Sequence, residues 1–194
     1  MPHRLIVAMT GATGTIIGVR LLQLLQETDV ETHLVMSTWA VRTLRHETMF
    51  AAEDVRRLAT RVYAPGDQGA AISSGSFLTD GMVVVPCSMR TLAAIAHGFG
   101  DTLVHRAADV VLKERRRLVL SVREAPLSDI HLENMLKLSR MGVVICPPVP
   151  AYYARPQTVD DIVTWTAVRL LDQLGVHLEI ANRWNGEMEV GTEP

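Results

Sequence analysis

The sequence predicts an α/β fold, a single domain in which one doubly wound parallel sheet lies between two layers of helices. Three observations predict it. Short apolar runs alternate with helix-forming segments along the 194 residues, as strands and helices alternate in such folds. Hydrophobic residues make up 48% of the chain and charged residues 21%, which is typical of globular domains. Aromatic residues account for only 5%, and an aliphatic core is typical of buried parallel strands.

Five apolar runs are predicted to be strands. The first, residues 5–9, leads into a glycine-containing turn at 10–14 and then into the helix-forming run IIGVRLLQLLQ. The remaining strands are predicted at residues 32–36, 82–85, 118–121 and 143–146. Because strands that alternate with helices pair in parallel through crossover connections, these five are expected to form one Rossmann-like, three-layer sheet.

Helices are predicted between the strands and after the last one. They are expected at residues 41–59, at 91–113 with a break near 98–100, at 129–141, and near the end of the chain. In the helix at 129–141, Leu132, Met135 and Leu136 share one face. In the last helix, apolar residues from Val159 to Leu174 repeat at helical spacing, which predicts an amphipathic helix.

A long irregular loop is predicted at residues 64–80, which are rich in Gly, Pro and Ser. Long loops in compact domains are often functional. No internal repeat or linker is evident in the sequence. Residues 1–184 are therefore interpreted as one domain, followed by a polar C-terminal tail at 185–194.

Charge and composition exclude several classes of protein. The net charge of −2 gives no basic field that would attract nucleic acid or an anionic membrane. No stretch approaches 18 apolar residues, so no membrane span is expected. Cys87 and Cys146 are too few for a disulfide framework, which suits a cytoplasmic location. Neither the cysteines nor the seven histidines have metal-ligand spacing, so no metal is expected.

Polar groups follow the predicted strands, at the edge where parallel sheets bind ligands. The turn at 11–14, with Gly18 beyond it, has the spacing G-x-x-G-x-x-x-G, which differs from the dinucleotide fingerprint. It either offers helix N–H groups to an anion or a flavin edge, or is a plain strand-to-helix turn. Ser37, after the second strand, either caps a helix or binds phosphate.

The later strands end in similar groups. Residues 88–91 open a helix and form either a phosphate cradle or an N-cap. Arg123 and Glu124 form a surface pair unless Arg123 faces an anion. Tyr153, in a proline-rich loop, and Arg169, beside the apolar stripe of the last helix, could line the same region. Together these groups predict a phosphorylated cofactor or substrate at this edge.

Other motifs are missing from the sequence. It has no Walker A loop, no G-x-S-x-G elbow and no H-E-x-x-H pair. A nicotinamide-dependent reductase would need the G-x-G-x-x-G turn and an acidic residue after the second strand, where Ser37 stands.

Several longer strings resemble a known family, the UbiX-type flavin prenyltransferases. These strings are MTGATG, PCSMRTLAAIAHG, RAADVVLKERRRLVLSVREAPLS, IHLENMLKLSRMG and PPVPAYYARPQTVDDIV, and the likeness runs from about residue 5 to 184. The resemblance implies a metal-independent transferase that joins the dimethylallyl group of dimethylallyl phosphate to reduced FMN. Its product, prenylated FMN, would serve a UbiD-type aromatic acid decarboxylase. The resemblance also implies a homo-dodecamer with FMN sites between subunits.

Individual roles follow from the same resemblance. FMN would contact Gly11, Ala12, Thr13, Ser37, Ser88, Met89, Arg90, Thr91 and Arg123. The prenyl phosphate would be bound by Arg106, Lys113, Tyr153 and Arg169. Thr13, Glu47 and Glu124 would be catalytic, with Glu124 passing a proton to the leaving phosphate. Many members have serine where Thr13 stands, so the hydroxyl is kept.

Two alternatives stay open at this point. One is a flavin-dependent cysteine decarboxylase of the same fold, although its catalytic His and Cys motifs are not found here. The other is a non-catalytic subunit that carries flavin to a decarboxylase. A carrier would not need the second phosphate site that Lys113, Tyr153 and Arg169 imply.

Overall fold

The described part of the chain, residues 3–180 with 183, 184 and 186 of a computed structural model, contains one six-stranded parallel sheet. The strands are β1 (Arg4–Met9), β2 (Glu31–Met36), β3 (Arg61–Tyr63), β4 (Gly81–Cys87), β5 (Arg117–Val122) and β6 (Val144–Ile145). Their order is β3-β2-β1-β4-β5-β6, and every neighbouring pair is parallel. The strand order reverses between β1 and β4, and ligands bind at such switch points.

Helices cover both faces of the sheet. They are α1 (Thr15–Gln26), α2 (Thr38–Glu47), α3 (Ala52–Arg57), α4 (Met89–His97), α5 (Leu103–Lys113), α6 (Asp129–Arg140) and α7 (Val159–Gln173). Residues of α1, α2, α3 and α7 pack with Leu5, Val7 and Met9, whereas those of α4 and α5 pack with Ile6 and Ala8. Successive β1 residues thus face opposite layers. The three-layer α/β prediction is confirmed.

The prediction of five strands is wrong by one, because β3 lies at the edge of the sheet and pairs only with β2. Arg61 is exposed and Val62 is 42% exposed. An edge strand open to solvent carries no apolar run, so the sequence pattern does not reveal it. The helical region predicted at 41–59 is two helices, and the breaks at 64–80 and 98–100 fall where predicted.

One face of α6 is apolar and exposed. Leu132 and Leu136 share that face as predicted, with exposed fractions of 48% and 51%, whereas Met135 turns towards the core and Leu138 is buried. We call these two exposed residues, Leu132 and Leu136, the α6 surface. Exposed apolar surface of this kind marks sites of protein interaction.

The two cysteines are free. Cys87 is buried at the end of β4, where burial raises the pKa of its thiol. Cys146, directly after β6, is only partly buried.

Three further sequence predictions concern the C-terminal tail, a membrane span and a metal site. The predicted polar tail at 185–194 lies outside the described residues apart from Gly186. No helix of the described ranges is long and apolar enough to cross a membrane. Within those ranges, no three His, Cys, Asp or Glu side chains are grouped as a metal ion would need.

Candidate active site

Thr10, the residue after β1, ties the glycine turn to the end of β4. Its hydroxyl donates a hydrogen bond to the carbonyl oxygen of Pro86 at 2.8 Å and accepts one from the backbone N–H of Ser88 at 2.9 Å. Its own N–H donates to the same Pro86 oxygen at 3.2 Å. These bonds hold the two loops of the switch point together. A lone threonine after a strand forms no motif, so the sequence alone does not point to Thr10.

The glycine turn packs closely against α2. A Cβ atom on Gly11 would lie 2.4 Å from the Cβ of Trp39, so this close approach requires glycine. Gly14 is the N-cap of α1 in the left-handed conformation, with φ 95° and ψ 24°. Thr13 lies between them with its side chain exposed. The turn therefore presents backbone and one hydroxyl at the switch point.

Glu47, at the end of α2, caps the N-terminus of α1. Its Oε2 accepts hydrogen bonds from the N–H groups of Gly14 at 3.0 Å and Thr15 at 3.1 Å, and from the Thr15 hydroxyl at 2.9 Å. Burial alone would raise the pKa of Glu47, but these bonds and one from the Thr13 hydroxyl lower it below its usual value. The carboxylate is therefore ionised at neutral pH beside Thr13.

Ser37 and Ser88 are N-caps at the same edge of the sheet. The Ser37 Oγ accepts from the N–H of Ala40 at 3.0 Å, and its own N–H donates to the Met9 carbonyl at 2.9 Å. The Ser88 Oγ accepts from the N–H of Thr91 at 3.3 Å and donates to the Thr91 hydroxyl at 3.1 Å. The capping role is thus present for both, and it directs the N-termini of α2 and α4 towards the switch point.

The first turn of α4 also contains Met89 and Arg90. Met89 is partly buried against the core. The Arg90 side chain is exposed and pairs with Asp101 at 3.2 Å, on the side of the helix that faces α5. Arg90 can therefore face the switch point through its backbone N–H only.

Arg123 and Glu124 follow β5 directly. The N–H of Arg123 donates to the Cys87 carbonyl at 3.1 Å, which places Arg123 next to Ser88. Within the described residues its guanidinium has no hydrogen-bond or ion-pair partner, and Glu124 instead accepts from the N–H of Ala125 at 3.1 Å. These two residues do not form the surface pair considered as an alternative.

Tyr153 and Arg169 meet at Trp165, beyond β6. The Tyr153 ring packs edge-on against Trp165, with 6.1 Å between centroids, and the Arg169 guanidinium lies 6.0 Å from the same ring. The Trp184 ring also packs edge-on against Tyr153, with 5.8 Å between centroids. The structure therefore brings together the two residues predicted to bind the prenyl phosphate.

Asp172 is a charged residue near Arg169 that sequence analysis missed. Its side chain is only 5% exposed, and it accepts hydrogen bonds from Arg169 at 2.5 Å, from His177 at 3.1 Å, and from Arg183 at 2.8 and 2.9 Å. Burial would raise its pKa, but these bonds lower the pKa to about 2. The spacing Arg169–Asp172, three residues apart on a helix, was the available sequence signal.

The remaining cations lie elsewhere in the chain. Lys113 ends α5 and pairs with Glu114, and Arg106 bonds to the Ser73 carbonyl at 3.1 Å and to Asp109 at 2.8 Å. The α5 helix covers the face of the sheet opposite α7. A single chain therefore does not bring Arg106 and Lys113 together with Arg169.

The switch point and the Tyr153–Arg169 cluster are also separate. The switch point lies between β1 and β4, whereas Arg169 lies near Cys146, directly after the edge strand β6. In the described part of the chain, neither Tyr153 nor Arg169 contacts a switch-point residue. The predicted site thus consists of three groups of residues on one chain.

Comparisons with known proteins identify the family. A profile of the Flavoprotein family matches residues 1–171. A probable UbiX-like flavin prenyltransferase of Bacillus subtilis (strain 168) is 57% identical over 183 residues, which are 94% of this chain and 90% of that protein. The chain belongs to the UbiX-like flavin prenyltransferases.

Two solved structures extend the UbiX-like match to the fold. A dodecameric FMN-dependent UbiX-like decarboxylase from Escherichia coli O157:H7 is 61% identical, with a TM-score of 0.93. The match covers 94% of this chain and 100% of that chain. AnUbiX (PadA1), in complex with FMN and dimethylallyl pyrophosphate, is 52% identical, with a TM-score of 0.95 over 97% and 100% of the two chains. The FMN-dependent cysteine decarboxylase SpaF shares the fold alone, at 17% identity and a TM-score of 0.61.

Proposed function

We propose that this UbiX-like protein is a flavin prenyltransferase, which joins a dimethylallyl group to reduced FMN and releases prenylated FMN. The observation that carries the proposal is the cationic and aromatic cluster of Tyr153, Trp165 and Arg169, which is separate from the glycine turn. A flavin carrier would need only the glycine turn and its neighbours. A cysteine decarboxylase is disfavoured, because its likeness to this chain does not extend beyond the fold.

The switch-point residues fit FMN. Gly11 leaves no room for a side chain, Thr10 fixes the two loops, and the N-termini of α2 and α4 offer free N–H groups suited to phosphate. We assign FMN binding to Gly11, Ala12, Thr13, Ser37, Ser88, Met89, Arg90, Thr91 and Arg123, with Met89 and Arg90 acting through their backbone. Reduced FMN would supply the nucleophilic nitrogen of its central ring that takes the prenyl carbon.

Arg169 and Tyr153 are proposed to bind the phosphate of the prenyl donor. Breaking the carbon–oxygen bond places negative charge on the departing phosphate, and fixed cations stabilise that charge best where water is excluded. An arginine can hold the phosphate with two parallel hydrogen bonds. The aromatic faces of Tyr153 and Trp165 suit the allylic cation that the same step generates.

The two glutamates are proposed to have different roles. Glu47 is ionised, so it can accept a proton or orient the Thr13 hydroxyl, but it cannot act as an acid in this conformation. Glu124 has no cationic partner in the described chain and remains the residue we assign to pass a proton to the leaving phosphate. No metal ion is needed for these roles.

Assembly is part of the proposal, because the three groups of residues are separate in one chain. We propose a homo-oligomer, most simply a dodecamer as in the E. coli relative, in which different copies contribute the switch point, the Tyr153–Arg169 cluster, and Arg106 with Lys113. The apolar α6 surface is suited to contact another copy.

The recipient of the product is proposed from the family resemblance. Prenylated FMN would pass to a UbiD-type aromatic acid decarboxylase. A cytoplasmic location belongs to the same proposal and is supported by the two free thiols, since disulfides form in oxidising compartments.

The test is direct. FMN is reduced anaerobically with the purified protein, dimethylallyl phosphate is added, and the mass of the released flavin is measured. Prenyl transfer gives a flavin heavier by one five-carbon unit. If FMN binds tightly but is recovered unmodified with both the monophosphate and the pyrophosphate donor, the prenyltransferase proposal is wrong and a carrier is favoured.

A further inference from the structure

The Asp172 carboxylate occupies a position that is costly without partners. Its side chain is 5% exposed, and burying a carboxylate is unfavourable unless hydrogen bonds and cations compensate. Four hydrogen bonds from Arg169, His177 and Arg183 provide that compensation. An ordinary ion pair between residues i and i+3 on a helix surface is exposed, and each charge needs only one partner. This geometry therefore indicates that Asp172 fixes the positions of the side chains that bind it.

Asp172 binds only one nitrogen of Arg169, which leaves one edge of the guanidinium available. Its Nη1 donates to Asp172, and its Cζ lies 6.0 Å from the centroid of the Trp165 ring. Among the described residues, Nε and Nη2 have no hydrogen-bond partner. These two N–H groups point in parallel, which is the arrangement that holds two phosphate oxygens. The side chain is 42% exposed, so a ligand can reach that edge.

Asp172 also binds Arg183 and thereby holds the end of the described chain in place. Both Nη atoms of Arg183 donate to Asp172, and a third hydrogen bond joins Nη2 to the Leu178 carbonyl at 3.0 Å. The next residue, Trp184, packs against Tyr153. One carboxylate thus connects Arg169 to the segment whose Trp184 packs against Tyr153.

We propose that Asp172 is a positioning residue for the prenyl donor: it orients Arg169 towards the donor phosphate and, through Arg183, secures the segment that packs on Tyr153. This inference rests on the proposed function. Asp172 does not cancel the positive charge of the site, because two arginines share the single carboxylate.

The experiment compares Asp172→Asn with Asp160→Asn, its matched control. Asp160 lies on the same helix and pairs with Arg20 at 2.5 Å, but its side chain is 61% exposed. Asp172→Asn is expected to raise KM for dimethylallyl phosphate about tenfold, because a charged hydrogen bond is lost, while FMN affinity is unchanged. Asp160→Asn is expected to change neither quantity.

A double-mutant cycle separates positioning from a general loss of structure. If Asp172 acts through Arg169 and Arg183, adding Asp172→Asn to Arg169→Ala raises KM by no more than about threefold, the effect expected through Arg183. Independent, additive effects on KM would overturn the proposal, as would an equal loss of FMN affinity. Should Asp172→Asn fail to fold, Arg183→Gln tests the same connection and is expected to raise KM about threefold. An unchanged KM in that variant also overturns it.

Binding measurements keep this inference distinct from the proposed function. Dimethylallyl phosphate is titrated by calorimetry into the protein loaded with oxidised FMN, which cannot react. If the wild type binds the donor, and Asp172→Asn weakens that binding about tenfold, the inference holds even where no prenyl transfer is seen. If both proteins bind the donor equally, the inference fails even where prenyl transfer succeeds.

Discussion

The carboxylate of Glu47 lies 3.0 Å from the backbone nitrogen of Gly14, so the end of α2 caps the beginning of α1. Gly14 is the N-cap residue of α1 and has no side chain to perform this role. The negative charge of Glu47 also interacts favourably with the positive end of the α1 dipole. This side chain therefore links the glycine turn to α2, and its replacement should affect both the stability of the protein and the proposed rate of prenyl transfer.

Replacing Glu47 with glutamine should lower the free energy of unfolding by about 1 kcal/mol, because charged hydrogen bonds to an N-terminus become neutral ones. It should also slow prenyl transfer about tenfold or more, since an ionised group beside Thr13 is lost, with FMN affinity little changed. Denaturant unfolding and single-turnover kinetics measure the two effects. Glu53→Gln, at an exposed position paired with Arg56, is the control. Equal losses in both variants would contradict the assignment.

Acid should destabilise the protein through Asp172. Its pKa is about 2 when folded, against 3.8 for an ordinary aspartate. Because the folded-state pKa is the lower one, the contribution of Asp172 is complete above about pH 4 and is lost as pH falls towards 2. The shift is worth about 2 kcal/mol.

The measurement is the melting temperature between pH 5 and pH 2.5, for the wild type and for Asp172→Asn. The variant should start from a lower melting temperature and lose less of it on acidification. Asp160→Asn should follow the wild type, because its carboxylate is mostly exposed. Parallel curves for all three proteins would show that Asp172 does not carry this dependence.

Replacing Ser88 with alanine should weaken FMN binding and destabilise the protein by about 1 kcal/mol through loss of an N-cap. Thr102→Ala removes the corresponding N-cap of α5, where the Thr102 side chain accepts from the N–H of His105. That variant should be destabilised to a similar degree but should bind FMN normally. Fluorescence titration with FMN distinguishes them. Unchanged FMN affinity in Ser88→Ala would remove Ser88 from the proposed FMN site.

Replacing Leu136 with aspartate should break the assembly into smaller species, because a buried unpaired carboxylate opposes an apolar contact. The matched control is Met49→Asp, at a position that is fully exposed (101%) and outside the α6 surface. Light scattering coupled to size-exclusion chromatography gives the mass of each species. An unchanged mass for Leu136→Asp would show that the α6 surface is not an interface.

The sequence predicts the parts of the fold that depend on local pattern. Apolar runs such as 5–9 and 82–85 mark the central strands, because these are buried on both faces. The pattern fails for β3, where Arg61 and Val62 face solvent. It also fails for the α6 surface, because apolar residues in a helix show which ones share a face but not what that face contacts.

The sequence also predicts some residues of the candidate site and not others. Glycines and hydroxyls directly after strands can be found from sequence, because the carboxyl ends of parallel strands meet at one edge. Thr10 could not be found, since its role depends on Pro86 and Ser88, which are distant in the chain. The spacing of Arg169 and Asp172 indicates an ion pair, but the burial of Asp172 does not follow from it. Arg106 and Lys113 were grouped with Arg169 by resemblance alone, and one chain places them on opposite faces.

The separation of Tyr153 and Arg169 from the switch point has a genetic consequence under the proposed assembly. Two inactive variants, Arg169→Ala and Arg123→Ala, damage different groups of residues on the same chain. When both chains are co-expressed and assemble at random, about a quarter of the sites draw each group from an undamaged copy. Two defective genes would then complement each other, whereas a site that drew both groups from one chain would regain no activity.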